Sequence, residues 1–170
     1  MDIKSYIRDV PDFPKQGILF KDITPLLQNP DSFKASVLGL LELVGDLKID
    51  KVVGMESRGF IFGPVLAHKL NAGFVPVRKP GKLPSKKISE TFDLEYATDS
   101  LEIHIDAIQK GDKVLIHDDV IASGGTAAAV CKLVERLGGE VVQLNFLVEL
   151  GFLNGRKKLN GYEIKTLLKY

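Results

Sequence analysis

The chain has 170 residues, of which 45% are hydrophobic and 26% are charged, an ordinary composition for one soluble globular domain with its own core. Its 23 basic and 22 acidic residues give a net charge of +1, which excludes a chain-wide attraction to nucleic acid or to an acidic membrane. The single cysteine excludes an intrachain disulfide framework, and without a signal-type start or an apolar stretch of about 20 residues we expect a cytoplasmic protein.

The first 28 residues are predicted to form short, irregular segments, because three prolines interrupt any long element. A helix is predicted to begin at residues 29–31, where Asn29 can cap the helix and Pro30 suits its first position. The apolar pattern then predicts a strand over 51–55, a helix over 60–70, strands over 73–78, 101–105 and 113–117, a helix over 127–137 and a strand over 140–149.

This alternation of strands and helices indicates an α/β fold with a central, mainly parallel sheet flanked by helices. In such sheets, ligands bind beyond the carboxyl ends of the strands, where a strand passes into a helix. The stretch VLIHDDVIASGGT at 114–126 is a junction of this kind. It is therefore the first place where the sequence predicts a binding site.

The junction combines two acids with a glycine turn. Gly124 and Gly125 allow backbone amides to approach a ligand, and a helix beginning near Thr126 offers unpaired N–H groups, an arrangement suited to phosphate. Asp118 and Asp119 would repel phosphate, but they can accept hydrogen bonds from hydroxyl groups or face a metal ion. The pattern indicates a phosphorylated sugar, with a plain strand–turn–helix connection and solvated acids as the alternative.

Residues 78–90, RKPGKLPSKKISE, are polar and basic, and they form a long connection for a compact domain. A connection of this length is typical of a lid over a functional site. A flexible basic loop without a target is the alternative.

The 114–126 junction resembles the phosphoribosyl-pyrophosphate motif of the type I phosphoribosyltransferases. The resemblance implies a single domain over 1–170 with that family's fold, a small N-terminal hood over about residues 1–30 and a flexible lid loop over about residues 78–96. It also implies that Asp118 and Asp119 bind the ribose hydroxyls. The implied 5′-phosphate site comprises Ala122, Ser123, Gly124, Gly125 and Thr126.

Further segments resemble, in order and spacing, the members of this family that use adenine. The resemblance implies a glycosyltransferase of purine salvage, which converts adenine and 5-phosphoribosyl 1-pyrophosphate into AMP and pyrophosphate. It implies a homodimer, and Mg²⁺ bound mainly through the pyrophosphorylated sugar with no direct protein ligand assigned. Hypoxanthine, guanine or xanthine as the base, and a non-catalytic sensor of the sugar, are the alternatives. The matching segments are residues 12–27, 54–67, 77–84, 92–104 and 148–159.

The resemblance also implies roles for the remaining site residues. Leu19, Phe20 and Lys21 would bind adenine, although without the resemblance ordinary core positions are the simpler interpretation of the first two. Glu95 in FDLEY would be the general acid/base, with a surface acid as the alternative. The implied pyrophosphate site comprises Glu56, Ser57, Arg58, Arg78, Lys79 and Lys82, and Arg58, Arg78 and Lys82 are assigned to catalysis together with Glu95.

His117 departs from the family pattern, in which the position before the two acids is usually apolar. Adjacent residues on a strand point to opposite faces, so His117, Asp118 and Asp119 cannot easily share one metal ion. We therefore predict a structural histidine whose hydrogen bonds are satisfied. Cys131 is predicted to be a buried, unreactive thiol.

Overall fold

The computed structural model describes residues 1–94 and 97–170. These residues form two compact units, Met1–Gly39 and Leu40–Tyr170. The predicted acid/base Glu95 and its neighbour Tyr96 lie outside the described residues. Within those that are described, no helix has the length and apolarity needed to cross a bilayer. The organisation as a single domain with a hood stays a prediction.

The first unit contains a two-stranded antiparallel sheet and the start of a long helix. Asn29 Oδ1 accepts hydrogen bonds from the backbone N–H groups of Asp31 (3.1 Å) and Ser32 (3.0 Å), which satisfies donors that the first helical turn leaves unpaired. The predicted helix start is therefore confirmed. The elements are a 3-10 helix (Ile3–Tyr6), β1 (Arg8–Pro11), β2 (Leu19–Asp22), α1 (Thr24–Gln28) and α2 (Pro30–Val44).

The second unit is built on a sheet of five parallel strands in the order β4-β3-β7-β8-β9, which confirms the predicted fold class. Pro76 is tolerated in β4 because this strand lies at the edge of the sheet, where one row of N–H groups needs no partner. The strands are β3 (Lys51–Met55), β4 (Gly73–Val77), β7 (Lys113–Ile121), β8 (Glu140–Glu149) and β9 (Ile164–Lys169).

Two of these strands differ from the predicted pattern. Strand β7 continues to Ile121, so both aspartates lie within the strand rather than in the turn after it. Strand β9 is not foreseen, because it is a short edge strand whose residues are only partly buried and show no clear alternation. The predicted strands over 51–55 and 140–149 are confirmed.

Helices α3 (Gly59–Lys69) and α4 (Gly125–Arg136) cover opposite faces of the sheet. On one face, Val114 and Ile116 of β7 pack in a buried cluster with Val130 of α4. On the other face, the ring of His117 lies 6.1 Å from that of Phe62 in α3. Successive β7 residues therefore alternate between the two helices, as the pleat of a strand requires.

The predicted loop over 78–90 is wrong for its last residues, because β5 (Lys87–Asp93) pairs with β6 (Thr98–His104) in an antiparallel hairpin. The half-buried Ile88 and Phe92 pack against the core, while Glu90 pairs with Lys132 (3.2 Å) and Arg136 (3.4 Å) of α4. The charged residues of this strand hide its alternation from a hydropathy pattern.

Candidate active site

A cavity of about 200 Å³ opens at the carboxyl end of β7. Its wall combines residues from the end of β7 and the following turn with apolar side chains and an arginine. Parallel α/β sheets bind ligands at this edge. The lining residues are Met55, Arg58, Asp118, Val120, Ile121, Ala122, Ser123, Gly124, Thr126, Ala127 and Phe146.

The turn that follows β7 places backbone amides at the start of a helix. Gly124 has a φ of +81°, a conformation that favours glycine, and α4 begins at Gly125. The first N–H groups of α4 have no partner within the helix, and its positive dipole end lies at the same point. The predicted 5′-phosphate residues 122–126 therefore form one continuous turn, with the geometry of an anion site.

A glycine from a later segment, Gly155, packs its backbone closely against this turn. A Cβ on Gly124 would lie 2.2 Å from the carbonyl oxygen of Gly155, and a Cβ on Gly155 would lie 2.3 Å from that of Ala122. The two backbones can approach this closely only because both positions are glycine. Gly155 was not among the predicted site residues, since it lies in a separate segment of the sequence.

The two aspartates occupy different environments. Asp118 lines the cavity, and its Oδ1 accepts a hydrogen bond from the backbone N–H of Asp119 (2.9 Å). Burial and the neighbouring charge of Asp119 raise the pKa of Asp118 well above its usual value, and Arg58 acts in the opposite direction. Asp118 therefore presents its carboxylate to the cavity, in a site that disfavours a bare negative charge.

Asp119 lies against Arg58, the residue before α3. Arg58 Nε is 3.1 Å from Asp119 Oδ2, although this buried oxygen accepts no hydrogen bond from the described residues. Burial raises the pKa of Asp119, and the charge of Arg58 opposes that rise. The structure therefore joins a residue predicted for pyrophosphate to one predicted for the ribose.

Glu56 is the centre of the second cationic group. Its carboxylate lies 3.4 Å from Arg78 Nε and 3.3 Å from Lys82 Nζ, and it accepts a hydrogen bond from the backbone N–H of Lys79 (2.8 Å). The Lys79 N–H lowers the pKa of Glu56 most, and Lys82 and Arg78 lower it further. Since a carboxylate repels pyrophosphate, this geometry favours a counter-ion that orients Arg78 and Lys82 over a direct ligand.

The other residues of the predicted pyrophosphate site differ in their partners and in their exposure. The Lys79 ammonium forms an ion pair with Asp99. Arg78 Nε is buried and has no hydrogen-bond partner among residues 1–94 and 97–170. Ser57 is exposed and follows Glu56 through a cis peptide bond. Arg78 is therefore the member with a buried donor still to be satisfied.

The predicted adenine residues lie in the first unit, beside a pocket of about 280 Å³ lined by Val10, Phe13, Phe20 and Asp22. The rings of Phe13 and Phe20 meet edge to face, with centroids 5.2 Å apart. Lys21 is buried, and its Nζ lies 2.6 Å from Asp9 Oδ1, while 46% of Leu19 is exposed. Of the three predicted residues only Phe20 lines this pocket.

His117 is buried as predicted, but its hydrogen bonds are only partly satisfied, because Nε2 has no partner among residues 1–94 and 97–170. It is fully buried, with Nδ1 2.8 Å from Asn145 Oδ1, and burial lowers its pKa to about 4. No group of three potential metal-ligating acids, histidines or cysteines occurs in the described part of the chain. Cys131 is also buried, which raises the pKa of its thiol to about 12.

Comparison with known proteins agrees with this geometry. The family model described as phosphoribosyl transferase domain matches residues 24–165. The adenine phosphoribosyltransferase of Christiangramia forsetii is 61% identical over all of this chain and 99% of its own length. The crystal structure of the Thermoanaerobacter pseudethanolicus adenine phosphoribosyltransferase is 54% identical, with a TM-score of 0.97 over 99% of this chain and 98% of that one.

A third relative carries ligands. The Saccharomyces cerevisiae adenine phosphoribosyltransferase, complexed with an imino-altritol bisphosphate and adenine, is 47% identical to this chain. Its TM-score is 0.93 over 98% of this chain and 97% of that one. The chain therefore belongs to the adenine phosphoribosyltransferases, within the phosphoribosyl transferase domain family.

Proposed function

We propose that the chain transfers the 5-phosphoribosyl group from 5-phosphoribosyl 1-pyrophosphate to adenine, giving AMP and pyrophosphate. One observation carries the proposal: a single cavity joins the Asp118 carboxylate to the glycine turn at the start of α4. The first accepts hydrogen bonds from hydroxyl groups, and the second donates them to phosphate. A ribose phosphate carries both kinds of group: hydroxyls that the carboxylate can bind and a phosphate that the turn can bind.

The sugar site extends beyond Asp118. Asp119 Oδ2 is a buried acceptor without a hydrogen bond from the described residues, and a bound hydroxyl would supply the missing donor. We assign the ribose hydroxyls to Asp118 and Asp119. The 5′-phosphate is assigned to Ala122, Ser123, Gly124, Gly125 and Thr126.

Cations are assigned to the leaving pyrophosphate. As the bond from C1 of the sugar to pyrophosphate breaks, negative charge grows on the leaving group, and positive groups fixed nearby lower the barrier. Arg58 and Arg78 supply guanidinium donors, and Lys82 supplies an ammonium group. Glu56 would release Arg78 and Lys82 to the anion, while Ser57 and Lys79 complete the pyrophosphate residues.

The sugar C1 then passes through an oxocarbenium-like state while N9 of adenine attacks its opposite face. Phe20 would pack on the base, with Leu19 and Lys21 beside it. Glu95 is assigned as the general acid/base at the purine ring. The yeast relative was crystallised with adenine and a bisphosphate, which supports one site for a base and one for phosphates.

Mg²⁺ is the metal that we assign to the reaction. The pyrophosphorylated sugar is rich in the oxygen ligands that Mg²⁺ prefers, and a bound ion would neutralise part of the charge of the leaving group. Asp118 lines the cavity, so its carboxylate fits a position facing such an ion. We assign no direct protein ligand to Mg²⁺. We also propose that the protein is a homodimer and that it is cytoplasmic.

The deciding experiment mixes the purified protein with Mg²⁺, 5-phosphoribosyl 1-pyrophosphate and adenine, hypoxanthine, guanine or xanthine in separate reactions. We expect AMP to form with adenine and the other nucleotides to form far more slowly. Preferred turnover of another purine would discard the base assignment and keep the sugar chemistry. Tight binding of the sugar without turnover of any base would instead favour a non-catalytic sensor of the sugar.

A further inference from the structure

The segment Gly155–Leu159 forms a second wall beside the phosphate turn. It is a 3-10 helix with two buried residues, Gly155 and Leu159, at its ends. Gly155 fixes the segment against Ala122 and Gly124 through the close backbone approach. Neither this segment nor its lysines belong to the phosphate motif of the sequence.

Arg156 fixes the same segment from the other side. Its guanidinium forms a bidentate ion pair with the Glu149 carboxylate, with Nε 2.8 Å from Oε1 and Nη2 2.7 Å from Oε2. This contact, together with the Thr166 hydroxyl, holds the pKa of Glu149 down at about 2. Arg156 is therefore a structural clamp, and its charge is already matched by an acid.

Lys158 differs from Arg156 in forming no ion pair with an acid among the described residues. Its Nζ lies 3.7 Å from the position that a Cβ on Gly125 would occupy, directly over the first residue of α4. No carboxylate of residues 1–94 or 97–170 lies within ion-pair distance of this ammonium group, Asp93 included. An unmatched cation thus stands beside the amides to which the phosphate is assigned.

A second cavity places Lys158 on the same turn. This cavity, of about 570 Å³, is lined by Asp93, Leu94, Ala122, Ser123, Leu153 and Lys158. It shares Ala122 and Ser123 with the cavity that contains Asp118. The turn is therefore the common wall of both, and a flexible lysine side chain over Gly125 can reach an anion held by its N–H groups.

We propose that Lys158 is a further phosphate-binding residue, which contacts the 5′-phosphate of the sugar held by the 122–126 turn. This inference rests on the proposed function, since it adds a cation to that same site. The physical reason is charge: a phosphate monoester is close to doubly negative, and the turn supplies only neutral donors, the backbone N–H groups and the hydroxyls of Ser123 and Thr126. The anchored segment holds the lysine backbone in place, so the contact orders little more than one side chain.

The test measures ribose 5-phosphate binding by calorimetry for the wild type and for Lys158→Met, Lys157→Met and Lys158→Arg. Lys157 is the matched control, because it is exposed in the same short helix and its loss changes the net charge equally. We expect Lys158→Met to weaken binding about tenfold and Lys158→Arg to restore most of it, with Lys157→Met within about twofold of wild type. Inorganic phosphate, as a second probe, should respond in the same order.

Catalysis gives an independent readout. Lys158→Met should raise the KM for the pyrophosphorylated sugar and leave kcat nearly unchanged, and it should reduce the salt dependence of ribose 5-phosphate binding. Equal affinities for Lys158→Met and Lys157→Met, with the wild type binding normally, would overturn the role of Lys158 and leave the proposed function standing. A wild type that binds no ribose 5-phosphate would overturn both.

Discussion

The guanidinium of Arg58 and the carboxylate of Asp119 lie against each other at the cavity, with Nε 3.1 Å from Oδ2. The carboxylate is 1% exposed and the guanidinium 43% exposed. A partly exposed cation therefore contacts a buried acid. A ligand that draws Arg58 toward pyrophosphate also changes the electrostatic environment of the acid assigned to the ribose.

Removing the charge of Arg58 should weaken the contacts with both the pyrophosphate and the ribose of the substrate. We expect Arg58→Gln to lower kcat/KM for the pyrophosphorylated sugar about 100-fold, because the leaving group loses a cation and Asp119 loses its charge partner. Arg58→Lys should recover only part of this loss, since an ammonium group lacks the planar fork. Steady-state kinetics would decide, and equal values for wild type and Arg58→Gln would remove Arg58 from the site.

Asp118→Asn should mainly weaken binding of the sugar. The amide keeps the size of the side chain but accepts hydrogen bonds less strongly, so we expect ribose 5-phosphate affinity to fall about tenfold or more. Asp106→Asn, at an exposed position away from the cavity, is the control and should bind normally. Unaltered affinity of Asp118→Asn in calorimetry would refute the hydroxyl assignment.

Glu95→Gln should act on turnover rather than on the sugar. A general acid/base contributes about 100-fold or more to the rate, whereas the phosphosugar contacts lie elsewhere. We therefore expect kcat to fall by that order while ribose 5-phosphate affinity stays within about threefold of wild type. Measurements of both on one preparation separate the effects, and an unchanged kcat would exclude Glu95 from the chemistry.

His117 should make stability depend on pH in a defined direction. Its pKa is lowered from 6.5 to about 4 by burial, so the unfolded chain binds a proton below pH 6.5 and the folded chain does not. The contribution of His117 to the free energy of unfolding should therefore be present in full above pH 6.5 and fall by about 3 kcal/mol as the pH drops to 4.

The measurement is urea unfolding at several pH values for the wild type and His117→Asn. The variant should be less stable near neutral pH, because Asn145 loses its partner, but the gap between the two proteins should narrow as the pH falls. Taking the difference removes the contribution of the carboxyl groups, which are common to both. A gap that stays constant across this pH range would show that His117 is not held neutral.

Gly155→Ala should disturb the phosphate site without touching its motif. The new Cβ would lie 2.3 Å from the carbonyl oxygen of Ala122, so the turn or the segment must move. We expect ribose 5-phosphate binding to weaken about tenfold, with circular dichroism reporting whether the fold is kept. Gly73→Ala is the control, because its Cβ would meet only the flexible side chain of Lys51; comparable losses in both variants would contradict the close-approach explanation.

The sequence allowed the prediction of the elements that carry strong local signals. Continuous apolar runs mark β3 and β8, and Asn29 with Pro30 marks the start of α2, because burial and capping are properties of neighbouring residues. The aspartates and glycines of the phosphate motif also lie together in the chain. The predicted position of Asp118 and Gly124 beside one cavity needed only the rule that ligands bind at the carboxyl ends of parallel strands.

The rest depends on contacts between distant segments. The ion pairs of Glu56 with Arg78 and Lys82, the approach of Gly155 to Gly124, and the position of Lys158 are set by how strands and loops meet in space. Hydropathy also misses β5, since its inward-facing Glu90 is stabilised by cations on α4 rather than by apolar burial. A pattern that counts residue types along the chain has no access to such pairings.

The close approach of Gly124 and Gly155 bears on how the site comes into being during translation. The turn at 122–126 is synthesised before residues 155–159. Until then the turn lacks the backbone that braces it, although its own residues are complete. Because a domain folds as a unit, a nascent chain that displays the whole phosphate motif should still be unable to capture the sugar phosphate, and binding should begin only when the later segment has docked.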